Sequence, residues 1–187
     1  MFLKISNLSK LYADGTKALT NVNLNIENGM FGLLGPNGAG KSSLMRTIST
    51  LQEPSEGTIF LDDLDVINNK EDMRKVLGYL PQDFGFYPKV SAEDMLHHFA
   101  ILKGISNKNE RKEICDALLH QTNLFEVRKR YIGDYSGGMR QRFGIAQALL
   151  GNPKVVIVDE PTAGLDPQER NRFHNLLSEV GENIIVI

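Results

Sequence analysis

The stretch MFGLLGPNGAGKSSLMRTI, Met30 to Ile48, runs from an apolar segment through a glycine-rich turn into helix-forming sequence. Met30 to Leu34 reads as a continuous apolar strand with both faces covered. Gly35 to Ser42 fits Gly-x-x-x-x-Gly-Lys-Ser, and a helix is expected from Lys41 to about Leu51. Strand, turn and helix in that order are the context in which this spacing binds phosphate. Gly38 and Gly40 allow the loop to wrap with successive backbone N–H groups turned inward, and the helix adds its positive end. On this reading Gly35, Pro36, Asn37, Gly38, Ala39, Gly40, Lys41 and Ser42 form a phosphate site. Lys41 places a cation between the last two phosphates, and the Ser42 hydroxyl is a magnesium ligand. The competing reading is a glycine-rich turn that only starts a helix.

Upstream, Phe2 to Ile5 and the alternating Val22 to Ile26 read as strands, separated by the turn Ala13-Asp14-Gly15-Thr16. Asn28-Gly29 marks a tight turn, and Gly57 to Leu61 a further strand. Downstream the chain turns helical. Ser91 with Asp94 has capping-box spacing for a helix to about Lys103, and Asn107 with Glu110 repeats it for a helix to about Gln121. Ser136 caps a third helix running to Leu150 and stopped by Gly151. Lys154 to Asp159 is a buried strand by composition. Asp166 caps a helix with Pro167 in its first position, ending at Gly181, and Asn183 to Ile187 begins another strand. Buried strands alternating with helices predict an α/β fold with a mostly parallel sheet covered on both sides. The chain stops inside its last apolar strand, so it reads as C-terminally truncated.

The composition narrows the class. The 187 residues are 41% hydrophobic and 24% charged, which excludes a disordered chain, a coiled coil and a collagen-like repeat. A net charge of −2 argues against broad capture of nucleic acid, and none is expected as a partner. The single cysteine, Cys115, permits no internal disulfide and fits a reducing compartment. It shares an apolar helix stripe with Ile114 and Leu118 and reads as packing. No apolar stretch approaches the ~18 residues of a membrane span, and the N-terminus lacks signal-peptide character. A cytoplasmic protein is expected, peripheral to the inner face of the membrane if it serves one.

Two further motifs carry chemistry. Val155 to Val158 run straight into Asp159-Glu160, which puts two carboxylates at the carboxyl edge of the sheet, where ligands bind. Asp159 is suited to hold magnesium through water, and Glu160 is the candidate general base for an attacking water. Tyr135 to Arg142, YSGGMRQR, makes a second anion-seeking helix start. Its plainer reading is a helix cap with a flexible lead-in.

Together these motifs resemble the ATP-binding cassette (ABC) ATPase family over essentially the whole chain. The resemblance implies a P-loop NTPase core with an antiparallel β-subdomain and a helical subdomain. It divides the chain into a core of residues 1–82 and 152–187 and a helical part of residues 83–151. Tyr135 to Met139 is similar to the signature motif, Pro161 to Asp166 to the D-loop, and Gln82 to the Q-loop glutamine. Tyr12 resembles the aromatic residue that stacks on adenine. The implied cofactors are ATP and Mg2+. The implied ATP contacts are Tyr12, Gly35 to Ser43, Ser136, Gly137 and Gly138, and the implied metal ligands are Ser42, Gln82 and Asp159. Catalytic roles fall to Glu160, Gln82 and Lys41. The implied partners are a second cassette, paired head to tail so that its Ser136 to Gly138 reach the ATP of the first, and a transmembrane permease subunit.

SGGMRQR and the short helical block between Gln82 and Ser136 look like the exporter branch of transport ATPases. Alternatives are a soluble cassette protein acting on nucleic acid or ribosomes, or a nucleotide-binding module without turnover. Tyr135 and Met139 depart from the commonest signature, which has Leu and Gln there. The family's switch histidine is expected just after the final strand, beyond Ile187. His97, His98, His120 and His174 lie upstream in helical segments and read as solvated or packing residues. Phe84, Phe86, Tyr87, Met95 and Phe99 form either a groove for a membrane-subunit helix or a satellite core.

Overall fold

A computed structural model describes residues 1–82, 85–159 and 167–187. In chain order it holds β1 (Phe2–Leu11), β2 (Lys17–Glu27), β3 (Gly29–Met30), α1 (Lys41–Ile48), β4 (Glu56–Leu61), β5 (Leu64–Asp65), α2 (Lys70–Lys75) and β6 (Leu77–Leu80). Then follow α3 (Ala92–Leu102), α4 (Lys108–Gln121), α5 (Gly137–Ala148), β7 (Val155–Val158), α6 (Pro167–Gly181) and β8 (Ile185–Val186).

The strands form two sheets. One is antiparallel in the order β2-β1-β4-β5, and the other is parallel in the order β3-β8-β7-β6. The expected α/β class with a parallel sheet and an antiparallel β-layer is thus present. In β7 successive side chains point to opposite faces. Val155 and Ile157 join the buried cluster that includes Leu3, Ile5 and Ile59 of the antiparallel sheet and Leu44 and Ile48 of α1. Val156 and Val158 join the cluster with Ile145 of α5 and Phe173 and Leu177 of α6. A strand apolar at every position is therefore covered on both sides, as its composition requires. A third cluster fills the space between α3, α4 and α5, with Leu96, Cys115, Leu119 and Phe143 fully buried.

The helix starts follow local chemistry. Ser91 Oγ accepts the Asp94 amide at 3.1 Å, Asn107 Oδ1 accepts those of Asn109 and Glu110 at 2.9 and 3.2 Å, and Ser136 Oγ accepts that of Met139 at 3.2 Å. Pro167 occupies the first position of α6, while its expected cap, Asp166, lies outside the described residues.

One expectation needs correction. Met30 to Leu34 is not a strand buried on both faces. Only Gly29 and Met30 pair, with Ile185 and Val186, and the Phe31 amide makes one more bond to the Val186 carbonyl at 2.7 Å. Met30 is 50% and Leu34 95% exposed, while Phe31 and Leu33 pack on the core. The reason is position: among the described strands β3 lies at the sheet edge, so one side has no neighbour to pair with or pack on.

Candidate functional site

The turn after β3 delivers the chain to α1 with unusual backbone geometry. Gly38 and Gly40 have φ of 82° and 87°, in the region that side-chain-bearing residues avoid. A Cβ on Gly40 would also fall on the Ala18 carbonyl oxygen of β2. Gly40 is the N-cap of α1 and supplies no side-chain cap, so the first-turn N–H groups depend on some other acceptor. Lys41 folds over the loop, donating from Nζ to the carbonyls of Gly35 at 2.6 Å and Pro36 at 2.9 Å. An ammonium has three N–H donors, so one remains to reach an anion in the loop.

A cavity of about 480 Å³ opens on this loop. It is lined by Asn37, Gly38, Gly40, Lys41, Ser42 and Ser43 together with Tyr12 and Gln82. Residues far apart in sequence are thus brought to one hollow. The lining also includes Thr16, Lys17 and Ala18 at the start of β2. Sequence reasoning placed a turn there without a role. The available signal was the adjacency of a basic residue to that turn. The turn is well built: the Thr16 amide donates to Asp14 Oδ1 at 2.9 Å, and the Thr16 backbone and side chain hold the Asp14 carboxyl below its usual range.

Asp159 follows directly on β7 at 7% exposure, with its amide bonded to the Leu80 carbonyl at 3.0 Å. It lines not the main cavity but a neighbouring hollow, which also touches Lys41 and His174. Its charge, behind burial, helps to raise the Tyr79 phenol above its ordinary value. Ser42, Gln82 and Asp159 therefore flank Lys41 from two adjoining hollows. A hydroxyl, an amide oxygen and a carboxylate are hard oxygen donors, the set Mg2+ accepts beside phosphate and water. Glu160 and the segment Pro161 to Asp166 lie outside the described residues.

Ser136, Gly137 and Gly138 start α5 and are absent from the lining of the main cavity. Ser136 and Gly137 are exposed, and Gly138 is buried. A Cβ on Gly138 would meet the Glu169 carboxylate of α6 at 2.5 Å. Arg142 of α5 and Arg172 of α6 both bond that carboxylate. The arrangement locks the start of α5 to the start of α6, so glycine is needed here for close approach.

The family model described as ABC transporter matches residues 19–163. The chain belongs to the ABC transporter family. YxlF of Bacillus subtilis (strain 168), an ABC transporter ATP-binding protein, is 38% identical over 186 residues, 99% of this chain and 61% of its own length. The chain thus spans about three-fifths of that relative. At 36% identity stand the phosphonates import ATP-binding protein PhnC of Alcaligenes faecalis and the doxorubicin resistance ATP-binding protein DrrA of Mycobacterium tuberculosis (strain H37Rv). Each covers 95% of this chain, which spans 69% and 54% of them respectively. Among solved structures, cbiO1 of Clostridium perfringens, part of the ABC transporter complex cbiONQ, superposes with a TM-score of 0.89 at 30% identity. That match covers 99% of this chain and 76% of the other. The dimeric bacterial cassette MJ0796 gives 0.81 at 31% identity, covering 98% and 86%.

Against the ABC pattern, the Tyr135 departure has a local explanation. The ring is 3% exposed in the helical cluster, and its hydroxyl donates to the Val127 carbonyl at 3.1 Å. Burial raises this phenol above its ordinary value. Its own carbonyl accepts Arg140 Nη1 at 2.8 Å, so both ends of the residue are held. The histidines stay on helices: His97 and His98 on α3, His120 on α4 and His174 on α6. Of the aromatic set, Met95 is buried at 2% exposure, and Phe86 packs edge-on against Phe143 with centroids 4.9 Å apart. Tyr87 is 71% exposed, and Phe84 lies outside the described residues. Met95 and Phe86 thus belong to the satellite core. Cys115 is fully buried, and burial pushes its thiol up to about 11, as fits a packing residue.

Proposed function

We propose that this chain is the ATP-binding and ATP-hydrolysing cassette of an ABC membrane transporter. The observation that carries the reading is the single cavity shared by Tyr12, the loop from Asn37 to Ser43, and Gln82. The first-turn amides of α1 donate to phosphate oxygens, with the third Lys41 N–H between the last two phosphates. Tyr12 stacks on adenine. Ser42, Gln82 and Asp159 would hold Mg2+, which when bound would offset the charge that builds on the phosphate oxygens. Glu160 takes the proton of the attacking water.

In this proposal Ser136, Gly137 and Gly138 serve the ATP of a second cassette rather than their own. The exposure of Ser136 and Gly137, and the dimeric form of MJ0796, support that arrangement. A membrane-embedded subunit is the other partner, supported by the cbiO1 relative's place in a transporter complex. No helix among the described residues is long and apolar enough to cross a membrane. We place the protein at the inner membrane face on the same grounds. The division into a core of residues 1–82 and 152–187 and a helical subdomain of residues 83–151 belongs to this reading, supported by the separate buried cluster of α3 to α5.

Export is the finer part of the proposal. DrrA's name supports it and PhnC's names import, so direction is tested by comparing efflux with uptake in cells lacking the gene. For the central claim, Lys41→Ala should weaken ATP binding by about 10- to 100-fold, the loss of one charged hydrogen-bonding group. Calorimetric titration checks it, and a dissociation constant near wild type contradicts the phosphate assignment.

A further inference from the structure

The hydrogen bonds around Tyr12 have a forced direction. Thr47 Oγ1 donates to the Ser43 carbonyl at 2.7 Å, so its oxygen is left to accept from Gln52 Nε2 at 2.8 Å. The same amide nitrogen donates to the Ser43 carbonyl at 2.8 Å, and a carbonyl can only accept. Gln52 Oε1 is therefore the atom turned to Tyr12, and it receives the phenolic proton at 3.0 Å. With that proton committed, the Ser43 hydroxyl, also 3.0 Å away, is the donor to the phenolic oxygen. Lys10 completes the setting. Its ammonium donates to the Glu53 carbonyl at 2.7 Å and stands 5.4 Å from the centroid of the Tyr12 ring.

Tyr12 follows β1 of the antiparallel sheet, whereas Ser43 and Thr47 lie on α1 and Gln52 just beyond it. The network thus pins a ring carried by one sheet to the helix that opens at the phosphate loop. We propose that Gln52 is a positioning residue for the nucleotide base: it fixes the plane of the Tyr12 ring against α1, with Lys10 on one face, so that the opposite face receives the base. This rests on the nucleotide-binding reading above and adds a residue to it. Gln52 does not line the cavity, so it acts through Tyr12 and not by touching the ligand. The consequence is selective. The network should govern the base and leave the triphosphate alone, because Gln52 meets the phosphate site only at the Ser43 carbonyl, an acceptor that offers phosphate no donor, and makes no bond to Lys41.

The test titrates the full chain with ATP and, separately, with inorganic triphosphate, both with Mg2+. Tyr12→Phe removes one hydroxyl and keeps the ring, and Gln52→Leu removes the acceptor. Each should weaken ATP by about 3- to 10-fold, the scale of one hydrogen bond, and leave triphosphate unchanged. The double variant should be no worse than either single one, since both break the same link. Unchanged ATP affinity in Tyr12→Phe overturns the proposal. So does a parallel loss of triphosphate, which would mean that the network only braces the phosphate loop. If Gln52→Leu does not fold, Tyr12→Phe decides alone. A wild-type chain that binds neither ligand defeats the nucleotide-binding reading itself. One that binds triphosphate as tightly as ATP defeats the base contact of Tyr12 and with it the role given to Gln52, and leaves the phosphate site standing.

Discussion

Helices α1 and α5 both begin at glycine-rich turns, yet their first turns are finished differently. At α1 the N-cap is Gly40 in a left-handed conformation, with no side chain to satisfy the first amides. At α5 the N-cap is Ser136, whose hydroxyl already accepts the Met139 amide. The first arrangement lacks an acceptor that a bound anion supplies. The second takes up one of its first amides with its own side chain, and behind it lies a closed core holding Phe143, Cys115 and Leu119 at 0% exposure. The chain's own phosphate site is therefore expected at the end whose cap is a bare glycine. The start of α5 instead rests on that packed core, with Ser136 and Gly137 exposed for the second cassette proposed above. Substitutions at the two ends should separate along that line.

The largest separation is expected from Glu160→Gln at the phosphate end. Removing a general base should lower phosphate release by a factor on the order of 10² to 10⁴ while ATP affinity stays near wild type. Steady-state phosphate release and a binding titration give the two numbers. Unchanged turnover removes Glu160 from the role and leaves the carboxyl edge of β7 to Asp159. At the other end, Phe143→Ala should act on stability. The ring is fully buried and meets Phe86 edge-on, so its loss should cost about 3–5 kcal/mol in urea unfolding. ATP affinity of the folded fraction should hold. If Phe143→Ala instead abolished ATP binding without destabilising the fold, the two ends would not be separate.

The same contrast explains what was legible in the sequence. Caps are local, so Ser91, Asn107 and Ser136 each declared a helix start that the structure keeps. The phosphate loop was legible because Gly38 and Gly40 are demanded by backbone conformation, and conformation is written in residue type. Strand β6 was not visible. Leu77 to Leu80 is four residues interrupted by Gly78, a poor strand former. Its glycine is there because a Cβ would strike the Ala148 carbonyl of α5, a contact made across the fold. Helix α2, six mostly charged residues, and the two-residue β5 are too short to show a period. Met30 to Leu34 misled because apolar composition reports hydrophobicity and not the number of neighbours a strand has. Of the site, the loop, Tyr12 and Gln82 were readable as motifs. Thr16 to Ala18 and Gln52 were not, because their roles arise only when the antiparallel sheet is laid beside α1.

The smallest expected effect falls where the two ends come closest in kind, at Tyr135. This residue precedes Ser136, and its hydroxyl is spent on the Val127 carbonyl deep in the helical cluster. Tyr135→Phe keeps the ring and leaves that carbonyl without its donor. The cost should be about 1 kcal/mol, a fall in Tm of roughly 2–4 °C for a chain of this size. Thermal unfolding measures it directly. Because the Tyr135 carbonyl is held independently by Arg140, the backbone leading into Ser136 should keep its course, and turnover should not change. A variant with normal Tm and reduced turnover would reverse the assignment. The phenol would then be needed to aim Ser136 at the second cassette's phosphate, and the buried packing of this end would serve chemistry as well as stability.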